Sequence, residues 1–96
     1  MKDFVIIGLG RFGSWVATTL YQMGHNVLVM DKNPERVQEF AEIVTHAVVA
    51  DATDESALKA LGVQNFEVAI VAIGNDLEAS ILTTALCKEL VSSDVK

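Results

Sequence analysis

The stretch that most constrains this chain lies near its amino terminus and reads Asp3-Phe-Val-Ile-Ile-Gly-Leu-Gly-Arg-Phe-Gly13. Phe4–Ile7 is an apolar run of the kind that forms a buried strand, and a G-x-G-x-x-G loop follows it at once. In such a loop Gly8 makes the tight turn and Gly10 lets an anion approach the backbone. Gly13 lets the following helix pack closely on the strand. A helix starting near Arg11 aims unpaired N–H groups, and the positive end of its dipole, at whatever anion sits there. The motif alone is weak, because a glycine turn can serve only to pack strand on helix. Its surroundings strengthen it: a strand before, an amphipathic helix after, a second strand, and an acid at that strand's end. Asp31 lies 21 positions after Gly10, the range expected of a carboxylate that accepts hydrogen bonds from ribose hydroxyls.

Ninety-six residues suit one domain, spanning 1–96. The chain is 51% apolar and only 6% aromatic, which fits a Val, Ile, Leu and Ala core on both faces of a parallel sheet. No apolar run approaches the ~18 residues of a membrane span, and Asp3 interrupts the order of a signal peptide, so no direct membrane insertion is expected. A net charge of −6 argues against a nucleic-acid partner. The single cysteine, Cys87, cannot form an internal disulfide, so the cytoplasm is the expected location.

Read in order, the chain alternates strands and helices. Phe4–Ile7 is strand one. The helix after the glycine loop has Phe12, Val16, Leu20 and Met23 at helical spacing, with Trp15 extending the stripe, and Gly24 as its stop. Val27–Met30 is strand two and delivers Asp31. Asn33 caps the next helix with Pro34 in its first turn. Val37, Phe40, Ala41 and Val44 form its inner stripe, and Glu35, Arg36, Gln38, Glu39 and Glu42 lie outside. His46, read as a surface residue, leads into strand three, Ala47–Ala50. Thr53 or Asp54 caps a short helix in which Ala57, Leu58 and Leu61 face inward before Gly62. Val68–Ile73 is strand four, and Gly74-Asn75-Asp76 turns it into a helix over Leu77–Leu90 with Leu82, Ala85, Leu86 and Leu90 inside. Cys87 in that helix is a small packing residue. The tail Val91–Lys96 has two readings, a frayed end or the first residues of a fifth strand.

This βαβαβαβα pattern predicts an α/β, Rossmann-like, doubly wound parallel sheet of order 3-2-1-4, with right-handed crossovers. It lacks the last strands of a full domain, which leaves strand four as an edge. The chain is therefore expected to be truncated at its carboxyl end, or to be completed by another chain.

Ligands of such sheets bind beyond the carboxyl ends of the strands. The candidate binding residues are Gly8, Leu9, Gly10, Arg11, Phe12 and Gly13 in the loop. Asp31, Lys32 and Asn33 follow strand two, Asp51, Ala52 and Thr53 follow strand three, and Ile73, Gly74 and Asn75 follow strand four. Asp31 reads a ribose and repels a 2′-phosphate, which disfavours NADP. Asp51-Ala52 sits where an adenine edge would lie, although a turn carboxylate explains Asp51 as well. Arg11 adds a forked donor to a loop that already holds a diphosphate, which tilts the ligand towards ADP or ATP, with NAD(H) as the alternative. No P-loop, no Tyr-x-x-x-Lys dyad and no metal-ligand spacing is present. Binding without catalysis is the reading. The competing readings are the cofactor half of an NAD-dependent dehydrogenase and a structural module with a vestigial pocket.

Four ordered motifs carry a resemblance: Phe4–Gly13, Met23–Leu28, Thr45–Thr53 and Val68–Gly74, with Leu82–Leu90 continuing it. Together they resemble the RCK (KTN) domain, above all that of the cytosolic regulatory subunits of Ktr/Trk potassium transport systems. The resemblance implies a non-enzymatic nucleotide sensor that forms homodimers and octameric rings. Those rings sit at the inner face of the plasma membrane beneath a membrane potassium-translocating subunit, and bound ATP, ADP or NAD(H) gates transport. It implies Arg11 at the terminal phosphates, Asp31 at the ribose, and Lys32-Asn33, Asp51-Ala52 and Ile73-Gly74-Asn75 around the nucleoside. Asp51 stands where related subunits often carry Asn.

Overall fold

In the computed structural model, which describes residues 2–73, 77–90 and 94–95, five parallel strands form one sheet. They are β1 (Asp3–Ile7), β2 (Asn26–Asp31), β3 (His46–Val49), β4 (Val68–Val71) and β5 (Asp94–Val95), in the order β3-β2-β1-β4-β5. Between them lie α1 (Arg11–Gln22), α2 (Pro34–Phe40), α3 (Glu55–Ala60) with a 3₁₀ turn at Val63–Asn65, and α4 (Leu77–Leu90). The order of the first four strands is the 3-2-1-4 of a doubly wound sheet, and the winding reverses between β1 and β4. The register pairs Ile7 with Met30 on one side and with Val71 on the other. The carboxyl ends of the three central strands therefore finish level, which is where ligands of such sheets sit.

The interiors of β1, β2 and β4 are apolar because both faces are covered, and the polar residues Asp3, Asn26 and Asp31 stand at strand ends. Ile6, Val27 and Val29 pack with Ala17, Val37, Phe40 and Val44 on the face of α1 and α2. Val5, Ile7, Leu28 and Met30 pack with Leu58, Val63 and Cys87 on the face of α3 and α4. Successive residues of one strand thus serve opposite cores. Asn33 caps α2 by accepting the Glu35 N–H, and Asp54 rather than Thr53 caps α3 by accepting that of Ser56.

Several expectations need correction. β5 pairs alongside β4, Val68 opposite Asp94, so strand four is not the edge and the second reading of the tail holds. α2 stops at Phe40, and Val44 stays buried beyond it while Ala41 is exposed. Strand three begins at His46 and ends at Val49, and strand four ends at Val71.

The largest differences concern helix faces. On α1, Phe12 is 62% exposed, and Trp15 and Met23 are each 65% exposed. Gly13 and Ala17 face the sheet instead, flanked by Val16 and Leu20. A methyl group at Gly13 would overlap the Gly8 carbonyl oxygen, so α1 lies too close to the loop for any larger residue and turns its smallest side chains inward. α4 does the same. Thr83 and Cys87, four positions apart, are fully buried with Leu86 beside them, while Ile81, Leu82 and Ala85 are exposed. The side chain of Leu90 and the turn Gly74-Asn75-Asp76 lie outside the described residues.

Candidate functional site

The glycine loop is shaped by the sheet beneath it. The Gly8 N–H donates to the Met30 carbonyl at 2.8 Å, and the Ala72 N–H donates to that of Ile7 at 2.7 Å. Gly8 has φ +105°, and a side chain there would meet the Ala72 carbonyl oxygen at 2.6 Å. Gly8 and Gly13 are therefore required by the fold itself. Gly10 is different. Its backbone is extended at φ −73°, open to any residue, and a methyl group built on it meets, apart from its chain neighbours, no atom of the described residues within 4 Å. Packing among the described residues gives no reason for its lack of a side chain. Around it, the N–H groups of Gly10, Arg11, Phe12 and Gly13 have no acceptor among the described residues, as the first turn of a helix leaves them.

Asp31 ends β2 and reaches back to this loop. Its Oδ2 accepts the Leu9 N–H at 2.7 Å, and its Oδ1 accepts the Asn33 N–H at 2.8 Å. Each carboxylate oxygen can take a second donor, so the group retains acceptor capacity for a vicinal diol. It is half-buried and therefore reachable.

Sequence reasoning placed Arg36 on the outer face of its helix, and this needs correction. Its Nε and Nη2 donate to the Leu9 carbonyl at 3.0 and 2.7 Å, and Nη2 also donates to Ser14 Oγ at 2.8 Å. The Ser14 hydroxyl donates to the same carbonyl at 3.1 Å. The guanidinium lies 5.9 Å from the Phe40 ring centre and pairs with Glu39 through Nη1. A single arginine three positions after a helix cap gave no sign of this reach across 27 residues.

Of the other anticipated residues, Arg11 and Phe12 are exposed in the first turn of α1, and Leu9 is buried. Lys32 is exposed and Ala52 is buried. Asp51 Oδ1 accepts the Thr53 hydroxyl at 2.6 Å and the Thr53 N–H at 2.9 Å. The Thr53 hydroxyl above all, then its N–H, hold the Asp51 carboxyl below the usual value against an opposing effect of burial, and the charge of Lys32 adds least. Asp51 thus closes its own turn, and its second oxygen has no partner within the turn. Ile73 is half-buried just past β4. Gly74 and Asn75 lie outside the described residues. Loop, Asp31-Lys32-Asn33, Asp51-Ala52-Thr53 and Ile73 all stand at one end of the sheet, after β1, β2, β3 and β4 respectively.

At the opposite end of the strands a cleft of about 280 Å³ is lined by Asp3, Asn26, Thr45, His46 and Phe66 among others. Its Asn26 amide donates to Asp3, and its Thr45 hydroxyl accepts the Val27 N–H; among the described residues it has no helix start to aim a row of backbone N–H groups into it, as the glycine loop has. Among the described residues no group of His, Cys, Asp and Glu could hold a metal ion, and no helix is long and apolar enough to cross a membrane.

Residues 4–95 match the TrkA-N domain. The chain belongs to that family. It is 54% identical over 89 residues to the Ktr system potassium uptake protein A of Bacillus subtilis (strain 168), a match covering 93% of this chain and 40% of that protein. This TrkA-N chain thus spans about two fifths of that relative's length. Among solved structures, it is similar to the NAD(P)-binding domain of an exopolyphosphatase-related protein from Archaeoglobus fulgidus. The TM-score is 0.85 and the identity 23%, over 99% of this chain and 71% of that one. The AMP-bound form of the Kef CTD of Shewanella denitrificans superposes with a TM-score of 0.79 at 20% identity, over 97% of this chain and 56% of that one. Both likenesses are of fold.

Proposed function

We propose that this TrkA-N domain is the nucleotide-sensing part of a regulatory subunit of a potassium uptake system. The observation that carries the reading is Gly10: packing among the described residues does not require a glycine there, yet the position lies bare amid a row of N–H groups with no acceptor among those residues. A polyphosphate seated over it would take those donors and the helix dipole. In this reading Asp31 receives the ribose diol, and its charge turns away a 2′-phosphate. Asp51, Ala52 and Thr53 border the base, with Lys32, Asn33, Ile73, Gly74 and Asn75 around the nucleoside. Arg11, exposed beside the loop in the first turn of α1, meets the terminal phosphate of ATP, which ADP lacks, and ATP or ADP is the ligand, with NAD(H) as the alternative. The likeness to a potassium uptake protein supports the wider setting. There the module, itself without catalytic activity, works in the cytoplasm at the inner face of the membrane. It does so in homodimers and rings that bear on a membrane potassium-translocating subunit, and a change of nucleotide changes ring shape and gates transport.

Titration calorimetry of wild type and Arg11→Ala with ATP, ADP and NADH tests this. The expected result is binding of adenine nucleotides by wild type, and a loss of about tenfold for ATP in the variant, the size of one charge-assisted hydrogen bond, with NADH little changed. Equal loss for all three ligands would remove the terminal-phosphate role of Arg11. No binding by wild type would overturn the reading itself.

A further inference from the structure

We infer that Arg36 is a positioning residue for the phosphate loop, an assignment that rests on the nucleotide reading above. The Leu9 carbonyl oxygen receives three donors: Arg36 Nε at 3.0 Å, Arg36 Nη2 at 2.7 Å and Ser14 Oγ at 3.1 Å. That oxygen belongs to the same peptide unit as the Gly10 N–H. The peptide is trans, so its C=O and N–H point in opposite directions in one plane. Anchoring the oxygen on the α2 side therefore fixes the direction in which the Gly10 N–H points. Donors on the oxygen also polarise the unit and make that N–H a stronger donor.

The preceding peptide is held as well, because the Leu9 N–H is bonded to Asp31 at 2.7 Å, and the Leu9 side chain is itself buried. Both peptide planes that meet at Leu9 are thus fixed, one by the ribose-side carboxylate and one by Arg36. A loop ordered in advance loses less freedom when a ligand arrives.

Donor accounting decides between this role and direct contact with phosphate. An arginine carries five N–H donors. Four of the five are taken, two by Leu9 O, one by Ser14 Oγ and one by Glu39 Oε2. The fifth is on Nη1, the nitrogen that pairs with Glu39, so Nε and Nη2 could reach a phosphate only by leaving the brace. The bond to Glu39, at the exposed side of the guanidinium, contributes little. The two bonds to Leu9 are the ones that matter.

The test compares adenosine, which lacks phosphate, with ADP, by titration calorimetry on wild type, Arg36→Met, Arg36→Lys and Ser14→Ala. Arg36→Met keeps an apolar stem against Phe40 and removes every donor. The expected result is a loss of about tenfold in ADP affinity for Arg36→Met, with adenosine affinity within about twofold of wild type. Arg36→Lys should recover part of the loss. Ser14→Ala, which removes one of the three donors, should show a smaller loss of the same kind and keeps the test open if Arg36→Met folds poorly. Wild-type ADP affinity in Arg36→Met overturns the assignment while leaving the nucleotide reading intact. Equal loss for adenosine and ADP also overturns it, since that marks a general structural role. Failure of wild type to bind ADP overturns both.

Discussion

Asp31 Oδ2 accepts the Leu9 N–H at 2.7 Å, so the carboxylate at the end of β2 is bonded into the glycine loop before any ligand is considered. The group read from sequence as a ribose acceptor is therefore also a structural strut. In Asp31→Asn one of the two oxygens becomes an NH₂, which must face either the Leu9 or the Asn33 N–H. The expected cost is about 1 kcal/mol of folding stability, by urea unfolding. The loss in ADP affinity should be larger, about 1.5–3 kcal/mol for hydrogen bonds to a charged acceptor, by calorimetry. A variant that loses stability alone would assign Asp31 to the fold and not to the ligand.

Thr83 is fully buried in α4, and its hydroxyl has no hydrogen-bond partner among the described residues. Replacing a stranded hydroxyl by a methyl group of the same shape removes a desolvation cost and adds apolar contact. Thr83→Val should raise stability by about 1 kcal/mol, seen as a melting temperature higher by roughly 4–8 °C for a domain of this size. A lower melting temperature would show that the hydroxyl does have a role in the folded chain.

The fold was legible because its marks are local. The apolar run before Gly8, the Asn33-Pro34 start and the bounds of α4 all follow from short-range chemistry. So does the sheet order, once strands and helices alternate. The inner faces of α2 and α3 were legible but for Ala41, and Val16, Leu20 and Leu86 do pack inward, whereas the rest of the α1 and α4 faces was not legible. Periodicity weighs large apolar letters, and Phe12, Met23 and Leu82 are large. The contact distances here are set by Gly13 against the Gly8 carbonyl, and by the small Thr83 and Cys87, so the bulky residues turn outward. Trp15, Phe12 and Met23 together leave α1 with an apolar outer side. The glycine loop and Asp31 could be read from spacing alone, whereas Arg36 could not. Its partners are a main-chain carbonyl and a serine far back in the chain, and main-chain acceptors leave no letter to find.

Asp51 gives a prediction in pH. The Thr53 hydroxyl, then its N–H, hold the folded carboxyl below the ordinary 3.8. A depressed carboxylate contributes stability that is present above its unfolded value and is lost as pH falls through the lower folded one. The window therefore lies below about pH 4, and Asp51 leaves stability near neutrality independent of pH. In Thr53→Val the carboxyl should titrate upward towards its ordinary value, followed by NMR of the side-chain carboxyl carbon. An unchanged midpoint would place the cause elsewhere, with Lys32 the next charge to test.

Whether the bare surface over Gly10 exists for a phosphate is decided by ADP binding to Gly10→Ala, measured by calorimetry beside the melting temperature of the free protein. Gly13→Ala serves as the contrasting case, because its methyl group meets the Gly8 carbonyl oxygen and should cost about 1–3 kcal/mol of stability. At Gly10 the new methyl group meets, apart from its chain neighbours, no atom of the described residues within 4 Å, and the poorer helix cap is offset by the stiffer unfolded chain, so stability should change by less than about 1 kcal/mol. The expected result is a free Gly10→Ala protein that melts near wild type and binds ADP at least about tenfold more weakly. Gly10→Ala protein that binds ADP as tightly as wild type would mean that the bare surface is not there for a phosphate.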